Sequence, residues 1–451
     1  MTGVAPEVPT ACVVRHEPDA SACATAVREH FARAGDAIVL GRTIAAWRAE
    51  SRAALGLPAD RPIVMTGHQA GIWHAGIAEK FLLGAEIARA TGGVLVHVVV
   101  DHDRNDASLV AYPAIVDAGG AAGGGKALAR VALDRRPRSD APNALRDCVR
   151  TMRPDRPHEV AAGLEPVLAR IEGAIAAERG RGNLAMQMAH AANALLAPRV
   201  RVDHTVGATA LAAIPFAAAL REGFDSPRGG VDSLRDAYNA SVAGERIAPL
   251  SAGELPFWTL DRAAGARAPL FAHAPHALVA PRALALTAIA RLVACDLFIH
   301  GTGGARYDRA MEAWVGRAFG AEARAHLAPM AMATATRHAP LAALVPSFDA
   351  AATPEALRTL EQDPFDDGGR TKAGLVAAIG GRTADRAERR RAYLAMRRAI
   401  AAARTAREPE LAALRARIAA NAEARRIHAL ATDRAWPFPF AWHGVFASAC
   451  D

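Results

Sequence analysis

The sequence predicts an α/β fold built on a parallel sheet core, and two observations predict it. The first is "RPIVMTGHQAGIWHAGIAEKFLLGAEIARATGGVLVHVVVDHD", which reads as strand, glycine-rich turn, helix and second strand, a β-α-β unit over residues 62–103. Its second strand, "VLVHVVV", is apolar on both faces, as an interior parallel strand is. The second observation is that the design recurs. "CDLFIHGTGG" followed by "ARYDRAMEAWVGRAFG" is again strand, glycine turn and helix, with Leu297–Trp314 matching Val64–Phe81. Ligands bind at the C-terminal strand ends of open α/β sheets, so the two turns are expected to face one crevice.

The elements follow in order. "SACATAVREHFARAG" and "GRTIAAWRAESRAALG" carry helical periodicity and stop at glycine. Pro62 opens the first strand of the unit. The helix after it places Ile77, Phe81, Leu82 and Ile87 on one side and ends at a double glycine. "DAGGAAGGGKAL" approaches P-loop spacing with Gly120, Gly125 and Lys126, but position 127 is Ala rather than a hydroxyl residue. The alternating "LARVALD" behind it is a strand and offers no helix N-terminus for an anion, so a hairpin tip is the expected structure. Helices are expected from about 156 to 245, starting with "HEVAAGLEPVLARIEGAIAAERG", with "RVRVDHTVG" as a strand between two of them. "GELPFWTLDR" and "PLFAHAPHALVAPRAL" read as extended pieces. From Thr383 to about Leu430 the chain is helical, interrupted near Pro409, and predicts a helical hairpin or coiled-coil arm. "DRAWPFPFAWHGVF" is expected to pack back onto the core.

Composition narrows the function classes. The 451 residues suffice for two or three domains and a large core. No run of about 18 apolar residues exists, so no membrane partner is expected. The N-terminus lacks the basic-then-apolar pattern of a signal peptide. Five scattered cysteines without a CxxC pair argue for a reducing compartment, a cytoplasmic location, and against disulfides or a zinc site. The net charge of +8 comes mostly from arginine, densest in the C-terminal helical stretch. Glu and Asp interleave there and aromatics are sparse, so a solvated helical face is expected and no nucleic-acid partner.

Three clusters carry the candidate chemistry. The first is the turn Thr66, Gly67, His68 and Gln69 with Gly71 and His74, where glycines permit close backbone approach and a helix N-terminus favours an anion. A histidine there stabilises phosphoryl or pyrophosphate charge, unless it merely caps the helix. The second is Asp101, His102 and Asp103 at the end of the valine-rich strand, suited to a Mg²⁺ ion, an ammonium or the orientation of His102; the plainer alternative is an Asp cap. The third is the loop Gly301, Thr302, Gly303 and Gly304 with Tyr307 and Asp308, a cradle for phosphate or a simple tight turn. No HExxH or CxxC spacing supports a protein-held metal, and none is expected.

These clusters resemble one family, the BshC cysteine ligases of bacillithiol biosynthesis, whose core opens V-x-T-G-Q-Q-A-G-L-F-x-G-P-L-Y. Thr66, Gly67, Gln69, Ala70 and Gly71 match, and His68 replaces the first Gln. Asp101, His102 and Asp103 match the family's G-E-D-H-D strand end. Pro281, Arg282, Gly301, Gly303 and Tyr307 match its Pro-Arg and G-P-G-E-I-A-Y block, with Gly304 in place of the Glu. The resemblance implies a Rossmann-like core of the nucleotidyltransferase type, a helical connecting domain and a coiled-coil arm. The corresponding division is 1–155 and 251–380 for the two halves of the core, 156–250 for the connecting region and 381–451 for the arm and tail. It further implies a ligase that joins an amino acid, cysteine in the family, to an amine-bearing small molecule, using ATP with Mg²⁺. His68 and His74 would contact phosphates, Asp101 or Asp103 the amine or Mg²⁺, and the Gly301–Gly304 loop with Arg282 the nucleotide or acceptor. A homodimer through the arm is expected. A nucleotidyltransferase on the same core and a non-catalytic small-molecule-binding protein are the alternatives.

Overall fold

In the computed structural model, which describes residues 12–118, 125–133, 139–149, 158–161, 163–197, 199–225, 234–272, 278–365, 372–380 and 385–443, the first β-α-β unit forms as its pattern dictates. In chain order, the strands that build the site are β1 (Val13–Glu17), β2 (Ile63–Gln69), β3 (Val94–Val100), β4 (His204–Gly207), β5 (Glu254–Asp261), β6 (Ala266–Phe271), β7 (Val279–Pro281), β8 (Leu297–His300) and β9 (Met330–Thr336). One sheet runs β1-β9-β8-β2-β3-β4. All neighbours from β9 to β4 are parallel, and β1 pairs antiparallel on the β9 edge. Ranked along the chain, the parallel strands lie in the order 3-2-1-4-5, with the crossover reversing direction between β2 and β8. That is the order of doubly wound sheets, and the reversal creates a crevice at the strand ends. A separate antiparallel sheet, β6-β5-β7, follows later in the same part of the chain.

β2 and β8 are held side by side by buried polar contacts at both ends. At the start, the Asp296 carboxylate accepts from the Ile63 amide at 2.8 Å and from Arg52 Nη2 at 2.9 Å to each oxygen, and lies 3.1 Å from His30 Nδ1. Burial raises its pKa, but His30 and Arg52 outweigh that and hold it below the ordinary carboxylate value. At the far end, Thr66 Oγ1 donates to the Ile299 carbonyl at 2.9 Å. The β2–β3 register pairs Thr66 with His97, Gly67 with Val98, His68 with Val99 and Gln69 with Val100. Side chains alternate across a strand, so Thr66, His68 and His97 share one face, and Gly67, Gln69 and Val98 the other. Helix Ala75–Thr91 covers the first face, where Trp73 stacks on Phe81 at 5.1 Å and Phe81 meets His97 edge-on. The second face carries the main core, with Met65, Val96 and Val98 packed among Trp47, Phe216, Phe257 and Trp314.

Several elements differ from the sequence reading. "HEVAAG" was expected to be helical; instead Glu159–Val160 is a short strand and the helix begins at Glu165, with Pro166 in the first turn, where its missing N–H costs nothing. β1 and β9 lack a strand signature: β9 reads "MAMATAT", Ala and Met rather than β-branched residues, and gains its strand state from pairing on both sides. Helix Ala283–Ile289 runs into a π-helical turn, Ala290–Ala294, that sequence does not announce. Of the P-loop-like run, residues 119–124 lie outside the described residues, and a strand, Gly125–Ala132, follows.

The chain divides into two compact units. The larger, 10–126, 130–339 and 434–451, contains the two sheets that build the site. Within it, the C-terminal aromatics Trp436, Phe438, Phe440 and Trp442 are buried, and the Phe438 amide donates to the Trp73 carbonyl at 2.6 Å. The smaller is built mainly from Pro340–Asp433 and is helical, with Arg386–Ala406 and Glu408–Ala431 its longest helices. They follow one another at Arg407, and Pro409 sits harmlessly in the first turn of the second. Leu411, Leu414 and Ile427 are buried, and Arg425 Nη2 donates to the Asp349, Ala350 and Ala352 carbonyls. Most of the arginine-rich surface here is exposed, with short-range Arg–Glu pairs such as Arg426–Glu423 and Arg407–Glu410. Among the described residues, no helix is long and apolar enough to cross a membrane.

Removing the Asp296 carboxylate leaves Arg52 buried without its partner. Asp296→Ala is expected to destabilise the protein by about 3 kcal/mol or more, read as a lower urea midpoint with an unchanged slope.

Candidate functional site

A cavity of about 490 Å³ opens at the C-terminal ends of β8, β2 and β3, at the reversal of strand order. Gly67 contributes from β2, and Val98, Val100, His102 and Asp103 from β3 and the turn behind it. Phe298 and His300 come from β8, Gly304 and Tyr307 from the following helix, and Trp258, Arg267 and Arg282 from the antiparallel sheet and its exit. Gly67 is obligatory: a Cβ there would lie 2.2 Å from the Val98 carbonyl oxygen. The second and third sequence clusters therefore do meet in one crevice.

The first cluster does not meet them as expected. Strand alternation turns Thr66 and His68 to the helix-covered face, away from the cavity. Thr66 is spent on the β8 pairing described above, and His68 lies edge-on to Trp73, its Nδ1 buried and unpartnered. His74 is the N-cap of helix Ala75–Thr91: its Nδ1 accepts from the Gly76 amide at 3.1 Å, and its backbone bridges to Pro437. That helix N-terminus is thus already capped, and the phosphate role expected of His68 and His74 does not fit it. Gly71, at φ 150°, serves the turn itself, a conformation that favours glycine. Besides Gly67, which lines the cavity, Gln69 reaches the second cluster, donating through Nε2 to Asp103 Oδ2.

The second cluster splits. Asp101 is almost wholly buried and accepts from the Thr209 amide at 3.1 Å and the Thr209 hydroxyl at 2.5 Å. It ties the end of β3 to the end of β4, and burial raises its pKa to about 6. Asp103, by contrast, is at the cavity, with Arg267 Nη1 3.4 Å away and the Gln69 bond holding it below the ordinary carboxylate value against the effect of burial. His102 is buried on all but its cavity side. Its Nδ1 makes no hydrogen bond but lies 3.9 Å from Asp101 Oδ1, and burial, reinforced by Arg267, pushes its pKa down to about 4. At neutral pH it is an uncharged imidazole whose Nε2 is open.

In the third cluster, Gly301, Thr302 and Gly303 form the turn but do not line the cavity, and a Cβ at Gly301 or Gly303 would touch nothing within 4 Å. Gly304 is different: a Cβ there would lie 2.5 Å from His300 Nδ1, so the imidazole occupies the room a larger residue would need. Tyr307 lines the cavity, 42% exposed. Asp308 does not reach it; it is buried against Arg291 and His300. Arg282 is at the wall, its guanidinium 4.2 Å above the Trp258 ring and paired with Glu254.

Sequence reasoning missed Arg246, Trp258, Arg267 and His300. Arg267 lies 4.5 Å over the same Trp258 ring that Arg282 covers, so one indole orders two guanidiniums. Arg246 is exposed and has no ion pair among the described residues. The cavity thus has apolar walls, three arginines and one engaged carboxylate, the electrostatics of a site for an anionic group. Among the described residues, no three His, Cys, Asp or Glu side chains are placed to hold a metal ion. Asp103 is the carboxylate in the cavity lining and would be the protein contact for Mg²⁺ brought in with the expected ATP. No protein-family model matches the chain, and no curated protein matches it.

Behind β2, the first cluster encloses a buried basic group. Lys80 is 3% exposed and donates to the Gly67 carbonyl, its one acceptor among the described residues; burial lowers its pKa to about 7. Burial, with Lys80 adding repulsion, also lowers His68 and His97 to about 3, from an ordinary 6.5. The unfolded chain takes up these imidazole protons as pH falls through 6.5, whereas the folded chain resists until about 3. Stability is therefore lost on acidification across that window. We expect stability to fall steadily from pH 6.5 to 4, by on the order of 1 kcal/mol or more per histidine, read as a falling melting temperature, and His97→Gln to flatten the decline. Lys80→Met is expected to raise the melting temperature at pH 7, because it removes a buried amine that has a single acceptor.

Proposed function

We propose that the protein is a BshC-like ligase, with a core of the nucleotidyltransferase type, that joins the carboxylate of an amino acid to the amine of a second small molecule in the cavity over the switch point. The observation that carries this reading is the convergence of His102 and Asp103 with Arg282, Gly304 and Tyr307, drawn from two separate motifs, on one arginine-walled cavity. An ammonium must lose a proton before it attacks, and His102 offers an uncharged Nε2 at neutral pH. Arg267 and Arg282, fixed by Trp258, hold carboxylate or phosphoryl oxygens, and Asp103 faces the ammonium. Apolar walls strengthen these contacts by excluding water. Cysteine is the amino acid that the resemblance implies, and ATP supplies the activation of its carboxylate. In this reading the anionic groups are bound by Arg246, Arg267 and Arg282 rather than by His68 and His74. A nucleotidyltransferase is the second reading, favoured by the 3-2-1-4-5 strand order.

We further propose that the helical unit carries a homodimer contact, since Tyr393 and Leu394 stand 48% and 45% exposed on helix Arg386–Ala406. Leu394→Glu is then expected to elute as a monomer where the wild type elutes as a dimer; an unchanged elution volume removes this helix from the interface.

Calorimetry with ATP and Mg²⁺ tests the site. Arg267→Ala is expected to weaken binding at least about tenfold, the loss of one charge-assisted hydrogen bond, and His74→Ala less than about twofold. Equal weakening in the two variants would return the phosphates to the first turn. Absence of binding to the wild type would remove ATP from the reading. Release of AMP on adding cysteine and an amine acceptor separates the ligase from the nucleotidyltransferase, which retains the nucleotide on its product.

A further inference from the structure

We propose that His300 is a second proton-transfer residue of the cavity, oriented by Asp308, which Arg291 anchors. His300 ends β8 and lines the cavity across β2 from His102. Its Nε2 lies 3.1 Å from Asp308 Oδ2, and Asp308 is 1% exposed. Arg291 Nη1 donates to the same Oδ2 at 2.7 Å. The guanidinium is itself fixed twice more, by Nε to the Ala328 carbonyl at 2.7 Å and by Nη2 against Glu312 at 2.9 Å. Arg291 belongs to the π-helical turn, a rare geometry found frequently at functional sites. Gly304, Asp308 and Glu312 are spaced four apart on one helix face, so the same face makes room for the imidazole, then holds it, then holds its anchor.

The polar atoms left over point the same way. His300 Nε2 and Asp308 Oδ1 are both buried without a hydrogen-bond partner, although their side chains are 3.1 Å apart at the nearest atoms. Buried polar atoms are rarely left so, and a small rotation of either group satisfies both, with the proton on Nε2. The acceptor nitrogen is then Nδ1, which lies beside Gly304 where both residues line the cavity. The groups that face His300 are Asp308 on the helix and Arg291 behind it, with His102 and Arg282 across the cavity.

The use of this acceptor rests on the ligase reading. Amide formation from an ammonium releases two protons: the N–C bond forms, the C–O bond to the leaving group of an acyl phosphate or acyl nucleotide breaks with its electron pair, and nitrogen loses one proton before attack and one afterwards. His102 Nε2 takes one and His300 Nδ1 the other. Asp308 is a positioning residue, acting only through His300.

The test uses the full chain with isotope-labelled histidine, the His300 signal being identified by its loss in His300→Gln. Nitrogen chemical shifts at pH 8 are expected to place the proton on Nε2 by at least about tenfold, and Asp308→Asn to reduce that preference below about threefold. Diethyl pyrocarbonate is expected to modify His300 at least about tenfold faster than His97, as mapped by peptide mass. A proton on Nδ1, a preference untouched by Asp308→Asn, or an unmodified His300 in the wild type each overturns the proposal. In turnover, His300→Gln is expected to lower kcat about a hundredfold with KM within about twofold; full activity overturns the role. Because the tautomer and modification measurements need no substrate, their failure counts against His300, whereas wild-type protein that forms no amide counts against the ligase reading.

Discussion

The pairing of β2 with β8 is the constraint on which the rest depends. These strands are some 230 residues apart in the chain, and adjacency between them is what reverses the sheet order and opens a crevice. The Asp296 carboxylate enforces it at one end, collecting the Ile63 amide, Arg52 and His30, and Thr66 closes the other end on the Ile299 carbonyl. Gly67 then permits β3 to approach so closely that any side chain would strike the Val98 carbonyl. The floor of the cavity is in this sense a by-product of strand packing, and its chemistry is added by the loops that reach over it.

That chemistry is unequal in charge. Arginines arrive from three separate places, and two of them are immobilised on one indole, which lowers the entropy cost of presenting them to an anion. The carboxylates near the cavity are mostly already engaged: Asp103 by Gln69 and Arg267, Glu254 by Arg282 and Ser251, Asp308 by Arg291. What remains unspent is two imidazole nitrogens and a set of guanidinium donors, enough to bind an acid and accept protons.

The first turn has a different purpose from the one its residues suggest. His74 caps a helix and Lys80 supports the Gly67 carbonyl from behind, and burial lowers the pKa of Lys80 and of the neighbouring His68 and His97. This is a costly support, since each of those groups prefers water and charge, and it makes the strand end sensitive to acid. The polar residues there stiffen the cavity floor without facing it.

The local pattern in the sequence determined the β-α-β unit, the repeat of strand, glycine turn and helix, and the helical C-terminal stretch, because apolar periodicity and glycine punctuation act over a few residues. It also brought His102, Asp103, Gly304 and Tyr307 forward as candidates, and the family resemblance added Arg282. Tertiary structure alone decided which candidates face one another. A period of two sends Thr66 and His68 to the covered face and Gly67 and Gln69 to the open one, and only the packing of helix Ala75–Thr91 says which face is covered. Trp258, Arg267 and His300 carried no signal, since an arginine on a hairpin or a histidine at a strand end gains meaning only from what another part of the chain sets beside it. Strand β9 was silent for the same reason: its alanines and methionines become a strand because both edges are paired.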